Sequence, residues 1–332
     1  MRAIHCPAWG EIEGLELAEV EAPPAPGPGE LTIEVAASGV NFADLLLIQG
    51  KYQERPMPPF IPGFEVAGRV SAVGPGVSRV KPGERVLALL DHGGFAESVL
   101  AREADVFAIP EAMDFATAAG FAIAYGTAYA GLVWRAALKP GELLLVLGAA
   151  GGVGLTGVEV GKALGARVIA CAGGPEKLAI AKAHGADFLI DHQTENIRAR
   201  VREIADGGGA DVVYDPVGGE GFDMALRSAA WGARLLAVGF ASGKVPQIPA
   251  NFLLVKNLSV HGIYWGSYRR RRPELLPGAF AEMFAWWREG RLQPLVSRRF
   301  DLAETKQALR QLLERKATGK IVLTMGRAMG RE

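Results

Sequence analysis

The most regular apolar pattern in the chain is a run of aliphatic residues, Leu143–Leu147, which leads into a glycine-rich turn and then into a helical segment, Leu155–Leu164. A strand that is apolar at every position is typical of a parallel sheet covered by helices on both faces. Similar apolar runs alternate with helical patterns up to residue 240. This alternation predicts an α/β domain with a doubly wound parallel sheet and right-handed crossovers. The further strands predicted are Arg167–Ala172, Asp187–Asp191, Asp211–Asp215 and Arg234–Phe240, and the further helices are Pro175–His184, Glu195–Ala205 and Phe222–Trp231.

The segments on either side of this domain have a different pattern. Leu31, Ile33, Val35 and Ala37 alternate with polar positions, as in a half-buried strand, and further β patterns are punctuated by Pro/Gly turns. Short strands with such turns predict an antiparallel, barrel-like domain. The predicted elements outside the doubly wound domain are the strands Val66–Val73, Glu84–Leu90 and Lys320–Met325 and the helices Ala279–Glu289 and Ala303–Arg315.

The C-terminal segment is too small to hold a core of its own, so we expect it to fold back onto the N-terminal segment. The predicted β-rich domain therefore comprises residues 1–124 and 262–332, and the parallel-sheet domain, residues 125–261, is inserted between them. Apolar residues in Leu258–Trp265 suit a last strand at the edge of the inserted sheet.

Composition indicates an ordinary soluble protein. The 332 residues contain 36 basic and 36 acidic side chains, and this balance argues against steering toward nucleic acid or acidic lipid. Cys6 and Cys171 are the only cysteines, which favours a reducing compartment, and no signal-peptide pattern is present. The uncharged stretch Phe115–Trp134 is rich in Ala and Gly, so we expect a buried helix rather than a membrane span. We therefore predict a cytoplasmic location.

Glycines in the turn after Leu143–Leu147 point to a bound diphosphate. The spacing is Gly148-x-x-Gly151-x-x-Gly154, with Ala150 where a dinucleotide fingerprint usually has its second glycine. Glycines let the backbone approach a ligand closely, and the helix that follows favours an anion at its N-terminus. The inserted domain is therefore predicted to be a Rossmann dinucleotide-binding domain.

The second strand of that domain indicates which dinucleotide binds. A site for NAD usually places a carboxylate at the end of this strand to hold the ribose 2′-hydroxyl. Here the strand ends in Ala172 and Gly173, and Lys177 follows. An ammonium group would pair with a 2′-phosphate, so NADPH is the predicted cofactor. Glu176 is a nearby carboxylate that argues for NAD instead, although an acidic residue also suits the first turn of its own helix.

The densest charge run is Arg269–Arg272, which is followed by a proline. Four arginines before a proline are most often a solvated turn. The alternatives are a contact to a phosphate-bearing substrate tail or to RNA.

Six motifs are spread over nearly the whole chain: Gly39–Asp44, Pro62–Gly68, Gly93–Glu97, Leu147–Gly154, Asp215–Gly219 and Arg315–Lys320. Together they resemble the medium-chain dehydrogenase/reductase superfamily, in its zinc-free NADPH:quinone oxidoreductase (zeta-crystallin-like) branch. The resemblance implies a Rossmann sheet inserted into a GroES-like, barrel-like catalytic domain.

The resemblance also bears on metal binding. Zinc-dependent members of the superfamily carry Cys and His where this chain has Asn41 and Phe64, and a cysteine-rich lobe where it runs from Asp91 into Gly93. Zinc requires thiolate, imidazole or carboxylate ligands. We therefore expect no metal, and metal-assisted alcohol oxidation becomes a less favoured alternative.

Site residues are carried over from the resemblance position by position. It implies that Asn41, Asp44 and Tyr52 line the substrate cleft and form the candidate catalytic set. The family often has Tyr where this chain has His192, Arg where it has Lys316, and a tyrosine where it has Leu46. The implied cofactor-binding residues are Asn41, Thr127, Ala150, Gly151, Gly152, Val153, Gly173, Lys177, His192, Phe240, Ser242 and Lys316.

These residues lead to a mechanistic hypothesis, the transfer of hydride from NADPH to a quinone or a similar conjugated, electron-poor acceptor. Asn41 or Tyr52 would donate a hydrogen bond to the developing oxyanion, although a structural role is equally compatible with Tyr52 and Asp44. One alternative is a reductase of enal, enone or enoyl-thioester double bonds. Another is an NADPH-binding recognition protein of the RNA-binding crystallin type. The resemblance further implies a homodimer.

Overall fold

The computed structural model describes residues 1–326, and the chain divides into two compact units. The first unit comprises Met1–Ile123, Tyr268–Phe280 and the segment that begins at Pro294, and the second comprises Ala124–Ser267 and Ala281–Gln293. The predicted C-terminal limit of the catalytic domain, residue 332, lies outside the described residues.

The predicted division differs from these units at residue 124 and after residue 261. Residues 124, 262–267 and 281–293 belong to the second unit, whereas the sequence pattern assigns them to the β-rich domain. Hydrogen bonds within the second unit give the reason. Tyr129 donates to the Glu282 carboxylate, and the Gln293 N–H lies 3.2 Å from Glu159 Oε2.

The helices and strands have the following bounds. The strands are β1 (Arg2–His5), β2 (Glu16–Glu19), β3 (Glu30–Val40), β4 (Glu65–Val73), β5 (Arg85–Leu89), β6 (Ser98–Arg102), β7 (Val106–Ala108), β8 (Leu143–Leu147), β9 (Arg167–Ala172), β10 (Phe188–Asp191), β11 (Ala210–Asp215), β12 (Ala229–Ala237), β13 (Ser259–Gly262), β14 (Val296–Asp301) and β15 (Lys320–Thr324). The helices are α1 (Phe42–Ile48), α2 (Phe115–Ala119), α3 (Ala122–Tyr129), α4 (Gly152–Ala163), α5 (Pro175–Ala183), α6 (Ile197–Ile204), α7 (Gly219–Ser228), α8 (Ala250–Lys256), α9 (Tyr268–Arg271), α10 (Leu276–Arg288) and α11 (Thr305–Leu313).

The second unit contains a six-stranded sheet in the order β10-β9-β8-β11-β12-β13, with every neighbouring pair parallel. The predicted doubly wound parallel sheet is therefore confirmed. Several boundaries differ by a few residues. In particular, the predicted helix Phe222–Trp231 spans Gly219–Ser228, and Trp231 lies in β12. Ala229 already pairs with Ala210 of β11, so the chain enters the sheet two residues before the predicted end of the helix.

Helix α4 lies unusually close to this sheet. A Cβ placed on Gly157 would come within 2.8 Å of the Tyr214 ring, and one on Gly161 within 2.5 Å of a Leu144 methyl carbon. Because neither glycine has a side chain, the helix approaches β8 and β11 closely. This packing holds the middle and the C-terminal part of α4 against β11 and β8.

The first unit contains a seven-stranded, mainly antiparallel sheet with β3 at its centre. Strand β3 pairs with β4 along most of its length, with β6 near its start and with β15 near its end. The C-terminal strand thus returns to the N-terminal segment, as predicted, and Ile321 lies opposite Val40. This pairing brings Lys320 to the end of β3, where α1 begins.

The uncharged stretch 115–134 is not one helix. It forms α2 and α3, followed by a wider π-helical segment, Ala130–Arg135. The break falls at Gly120, where a Cβ would come within 3.1 Å of the Lys320 side chain. None of the helices within residues 1–326 has both the length and the apolarity needed to cross a bilayer.

Each unit contains one buried free cysteine. Cys6 lies in the first unit, and Cys171 lies in β9 of the second. Burial raises the pKa of both thiols, that of Cys171 to about 12 with further contributions from the Asp191 and Glu195 carboxylates. Both side chains are therefore neutral at physiological pH.

Candidate functional site

The glycine turn after β8 has the geometry of a diphosphate-binding loop. Gly148 has φ of 59°, and a Cβ on Gly154 would lie 2.1 Å from the Gly148 carbonyl oxygen. Gly151 caps α4, so the amides of Gly152 and Val153 fall in the first turn, where backbone N–H groups have no acceptor within the helix. These amides and the helix dipole fit a diphosphate.

Donor groups gather around Gly173, which follows β9. A Cβ on Gly173 would come within 2.8 Å of Gln193 Nε2 and 3.1 Å of His192 Nε2. Lys177 lies in the first turn of α5, half-buried. The structure therefore places Gly173, Lys177 and His192 on neighbouring segments of one unit, and it adds Gln193, which the sequence analysis did not single out. Amide, imidazole and ammonium donors suit a phosphate ester.

A carboxylate that the sequence analysis overlooked also lies here. Asp191 ends β10 opposite Ala172, and its Oδ1 accepts the N–H groups of Gly174 at 3.2 Å and of Gln193 at 3.0 Å. These backbone hydrogen bonds lower the pKa of Asp191. The carboxylate is thus held by the loop, rather than extending from the end of β9 as a ribose-binding acid would.

The segment Phe240–Ser242 is held by the loop after β11. The Ala241 and Ser242 amides donate to the carbonyl oxygens of Pro216 and Val217, at 3.2 and 2.9 Å. Asp215 organises the same loop, because its carboxylate accepts the N–H groups of Val217 and Gly218. Burial raises the pKa of Asp215, and these hydrogen bonds counteract the rise.

Thr127 lies buried in α3 of the same unit, whereas Lys316 belongs to the first unit. The Lys316 ammonium is exposed and lies 2.6 Å from Glu314 Oε2. Asn41, Asp44 and Tyr52 also belong to the first unit, so the predicted site residues are divided between the two units.

Three buried polar side chains of the first unit, Asn41, Glu65 and Lys320, form a hydrogen-bonded cluster. Lys320 Nζ lies 2.9 Å from Glu65 Oε1 and 2.6 Å from Asn41 Oδ1. Asn41 Nδ2 lies 2.9 Å from Glu65 Oε1 and 3.4 Å from the Gly39 carbonyl oxygen. Both amide hydrogens of Asn41 therefore point to protein acceptors, whereas the sequence-based hypothesis offered one of them to an oxyanion.

Asp44 is completely buried at the start of α1, and its Oδ2 accepts the Asn41 N–H at 2.7 Å. Burial raises the pKa of Asp44 to about 8, and the charge of Glu65 acts in the same direction. The Asn41 N–H and the Lys320 ammonium oppose this rise. At neutral pH Asp44 is therefore mostly a neutral carboxylic acid that caps the helix.

Tyr52 lies half-buried, and its ring packs against that of Phe64 with 5.1 Å between centroids. Phe64 itself is almost fully buried in the core of the first unit. The packing of the two rings orients the Tyr52 side chain, and its phenol group can donate a hydrogen bond.

The comparisons with known proteins agree with this arrangement. Residues 27–111 match the family model "Alcohol dehydrogenase GroES-like domain", and residues 152–281 match "Zinc-binding dehydrogenase". A quinone oxidoreductase-like protein 2 homolog from Nematostella vectensis is 42% identical over 300 residues, which cover 90% of this chain and 82% of the relative.

Two solved structures are similar over the whole chain. Escherichia coli quinone oxidoreductase, solved in complex with NADPH, has a TM-score of 0.91 at 29% identity, covering 98% of this chain and 100% of the other. The quinone oxidoreductase from Thermus thermophilus, also solved with NADPH, has a TM-score of 0.84 at 34% identity, with the same coverage. The chain belongs to the medium-chain dehydrogenase/reductase superfamily, in its zinc-free quinone oxidoreductase branch. It is accordingly an oxidoreductase that binds a nicotinamide dinucleotide.

Side chains capable of ligating a metal do not gather within the described part of this oxidoreductase. Residues 1–326 contain no group of three or more His, Cys, Asp or Glu side chains placed to hold an ion. At the two positions where zinc-dependent relatives are expected to carry ligands stand Asn41, bound to Lys320 and Glu65, and Phe64, packed in the core. A carboxamide committed to an ion pair and a phenyl ring do not fit zinc.

The arginine run of this oxidoreductase is solvated only in part, because Arg270, Arg271 and Arg272 are exposed and Arg269 is not. Arg269 is buried, and its guanidinium binds the carboxylates of Asp105 and Asp91. Arg270 also binds Asp91, and Arg272 binds Glu274. The prediction of a solvated turn is therefore wrong for Arg269, because carboxylates distant in sequence surround it.

Glu65 and Lys320 of the first unit are buried polar residues that the sequence analysis did not single out. Both lie within motifs that carried the family resemblance, Pro62–Gly68 and Arg315–Lys320. A single glutamate or lysine in a strand is most often exposed, so only the pairing of β15 with β3 shows that the two meet.

Proposed function

We propose that the protein transfers hydride from NADPH to a quinone or a similar conjugated, electron-poor acceptor, without a metal ion. The observation that carries the proposal is the pair Asn41 and Phe64, a carboxamide hydrogen-bonded to Lys320 and Glu65 and a phenyl ring packed against Tyr52, because neither fits a zinc ion. Without a Lewis acid to polarise a carbonyl, the suitable acceptor is one that is already electron-poor. The names of the relatives support the same substrate class.

The second unit would hold the cofactor. Backbone amides of Gly152 and Val153, with Ala150 and Gly151 in the turn, would bind the diphosphate. Lys177, His192 and Gly173 would surround the 2′-phosphate. Phe240, Ser242 and Thr127 would contact the nicotinamide, and the bound cofactor would supply the hydride.

The first unit would stabilise the product anion. A quinone that accepts hydride becomes a phenolate-like anion, so a strong protein acid is not required. The Asn41 amide hydrogens are directed at Glu65 and Gly39. We therefore assign the hydrogen bond to the developing oxyanion to the Tyr52 hydroxyl. Asn41 would shape the wall of the site, and Asp44 would fix the backbone from which Asn41 projects.

A substrate panel tests the proposal. Oxidation of NADPH is followed at fixed enzyme concentration with benzoquinones and naphthoquinones, enones and enoyl thioesters, and the quinone series is repeated with NADH. We expect the highest kcat/KM with a quinone and NADPH, and a lower kcat in Tyr52→Phe. Turnover of enoyl thioesters alone would assign the protein to the double-bond reductases instead, and a preference for NADH would overturn the cofactor assignment.

The structure offers less support for a coenzyme A thioester. The 3′-phosphate of coenzyme A would need a cationic partner, and the arginine run suggested one. Arg269 and Arg270 are already bound to Asp105, Asp91 and Glu54. The quinone therefore remains the proposed acceptor. A recognition function toward RNA would appear as salt-sensitive filter binding without NADPH oxidation.

We further propose a cytoplasmic homodimer. Strand β13 is the last strand of the parallel sheet, so one of its edges has no neighbouring strand among the described residues. Such an edge suits pairing with a second copy. Light scattering on the purified protein would give the mass of two chains, and a His261→Lys variant, which places a lysine in the edge strand β13, would test the contribution of this edge. Cell fractionation would test the location.

A further inference from the structure

We infer that Lys320 is a positioning residue of the hydride-transfer site, and that together with Glu65 it fixes the orientation of the Asn41 side-chain amide. The inference rests on the proposed function for the role of Asn41. Its structural part is independent of that function, because it concerns three side chains of one unit.

The ammonium group of Lys320 is fully committed to this cluster. Besides Asn41 Oδ1 and Glu65 Oε1, it donates to the Val40 carbonyl oxygen at 3.2 Å. Three acceptors match the three hydrogens of an ammonium group. A lysine buried to this degree requires a compensating charge, and the Glu65 carboxylate supplies it.

Glu65 is held as firmly as Lys320. Its Oε1 accepts from Lys320 and Asn41, and its Oε2 accepts the Ile123 N–H at 2.8 Å. A Cβ on Gly39 would come within 2.3 Å of Glu65 Oε1, so the chain leaves space for the carboxylate by having a glycine there. The pair thus occupies a tightly enclosed site.

This pair determines which way the Asn41 amide faces. An ammonium group can only donate, and a carboxylate can only accept. The Asn41 oxygen must therefore face Lys320, and its NH2 group must face Glu65, as the distances of 2.6 and 2.9 Å show. Rotation of the amide by 180° would place its NH2 group against the Lys320 ammonium, so that two donors meet, and its oxygen against the Glu65 carboxylate, so that two acceptors meet.

The orientation of Asn41 matters because this residue connects the ion pair to the rest of the candidate site. Its backbone N–H is bound to Asp44, and it caps α1. A small displacement of a group that positions a reactant is costly for the rate, and 1 Å can correspond to about 100-fold. Lys320 acts on the reaction through Asn41, without touching the substrate.

The experiment compares the double variant Lys320→Met/Glu65→Gln with the wild-type full chain. Lys320→Met alone leaves a buried carboxylate unpaired and is expected to unfold readily. The double variant removes both charges and retains side chains of similar size. A glutamine can donate as well as accept, so it no longer imposes one orientation on Asn41. Lys81→Met, at an exposed turn, is the matched control.

Three readouts are measured on the folded protein. They are the 1H–15N signals of the Asn41 side-chain amide, assigned by their loss in Asn41→Asp, the Kd for NADPH by fluorescence, and kcat with a quinone. We expect displaced amide signals, an unchanged Kd and a kcat lowered about 10–100-fold. Lys81→Met should match the wild type in all three readouts.

Unmoved amide signals in the folded double variant, or wild-type kcat despite displaced signals, would overturn the inference. Failure of the proposed function has a different signature. The wild-type protein would then reduce no quinone, while the amide signals would still show whether Lys320 and Glu65 orient Asn41.

Discussion

The guanidinium of Arg269 binds the Asp105 carboxylate through two hydrogen bonds, Nε to Oδ1 at 2.9 Å and Nη2 to Oδ2 at 2.8 Å. Both side chains are almost completely buried, with 6% and 2% of their surfaces exposed. The two residues lie 164 positions apart. This bidentate pair joins α9 to the segment between β6 and β7 within the first unit.

Arg269→Ala should strongly destabilise the protein. Removal of Arg269 takes away the bidentate partner of the buried Asp105 carboxylate and leaves it paired with Arg102, so we expect a loss that approaches the about 3–5 kcal/mol of a broken buried ion pair without exceeding it. Arg272→Ala is the control, because the Arg272–Glu274 pair is more than half exposed and solvent screens it. Urea denaturation of both variants gives the free energies of unfolding. Equal, small losses of unfolding free energy in the two variants would show that the buried Arg269–Asp105 pair stabilises the protein no more than the exposed pair does.

Gly154→Ala should abolish tight NADPH binding and lower the melting temperature. The added Cβ would lie 2.1 Å from the Gly148 carbonyl oxygen, so the turn and the start of α4 must move apart. Overpacking of this kind costs about 1–3 kcal/mol. Gly278→Ala, at an exposed position of α10 with no atom within 4 Å of the new Cβ, should bind NADPH normally. Fluorescence titration and thermal unfolding measure both effects, and normal binding by Gly154→Ala would contradict the loop geometry.

Lys177→Ala should weaken binding of NADPH and leave that of NADH nearly unchanged. A hydrogen bond to a charged group contributes about 1.5–3 kcal/mol, which corresponds to about 10–100-fold in Kd. Lys182→Ala, in the last turn of the same helix, should have no effect, because Lys182 donates to the Asp187 carbonyl oxygen. Titration with both nucleotides measures the difference. Equal weakening toward NADPH and NADH would refute the assignment of Lys177 to the 2′-phosphate.

Asp44→Asn should change how stability depends on pH. Burial raises the pKa of Asp44 to about 8, whereas it is about 3.9 in an unfolded chain. The folded state therefore holds the proton more tightly, and the stabilisation present below pH 4 is lost as the pH rises toward 8. Each unit of separation corresponds to about 1.4 kcal/mol.

Asparagine does not titrate and still accepts the Asn41 N–H, so the variant should lose this decline. Denaturation at pH 5, 7 and 9 should show Asp44→Asn gaining stability relative to the wild type as the pH rises. A constant difference across this range would mean that Asp44 ionises normally in the folded protein.

Local sequence patterns were sufficient to predict the parallel-sheet fold of the second unit. The apolar strand Leu143–Leu147, the glycine turn and the helix after it are contiguous, so one short segment contains most of the information about the diphosphate loop. The ends of elements were less certain, as Ala229–Trp231 shows, because pairing with β11 overrides the helical pattern there.

The cluster in the first unit could not be predicted in the same way. Lys320 lies 255 residues from Glu65 and 279 from Asn41, and nothing near Lys320 in sequence indicates burial. The same reason explains Arg269, since a run of arginines has the same local appearance whether or not carboxylates from elsewhere surround it. The sequence therefore could not show that the side-chain N–H groups of Asn41 are already hydrogen-bonded within the protein.

The two buried cysteine thiols of this protein can serve as probes of local unfolding. Cys6 belongs to one unit and Cys171 to the other, and neither side chain meets solvent in the folded state. A thiol reagent can therefore react with either cysteine only when the surrounding unit opens, and mass spectrometry distinguishes the two modified peptides. Labelling rates of the unmutated chain would thus report the opening of each half separately, with and without nucleotide.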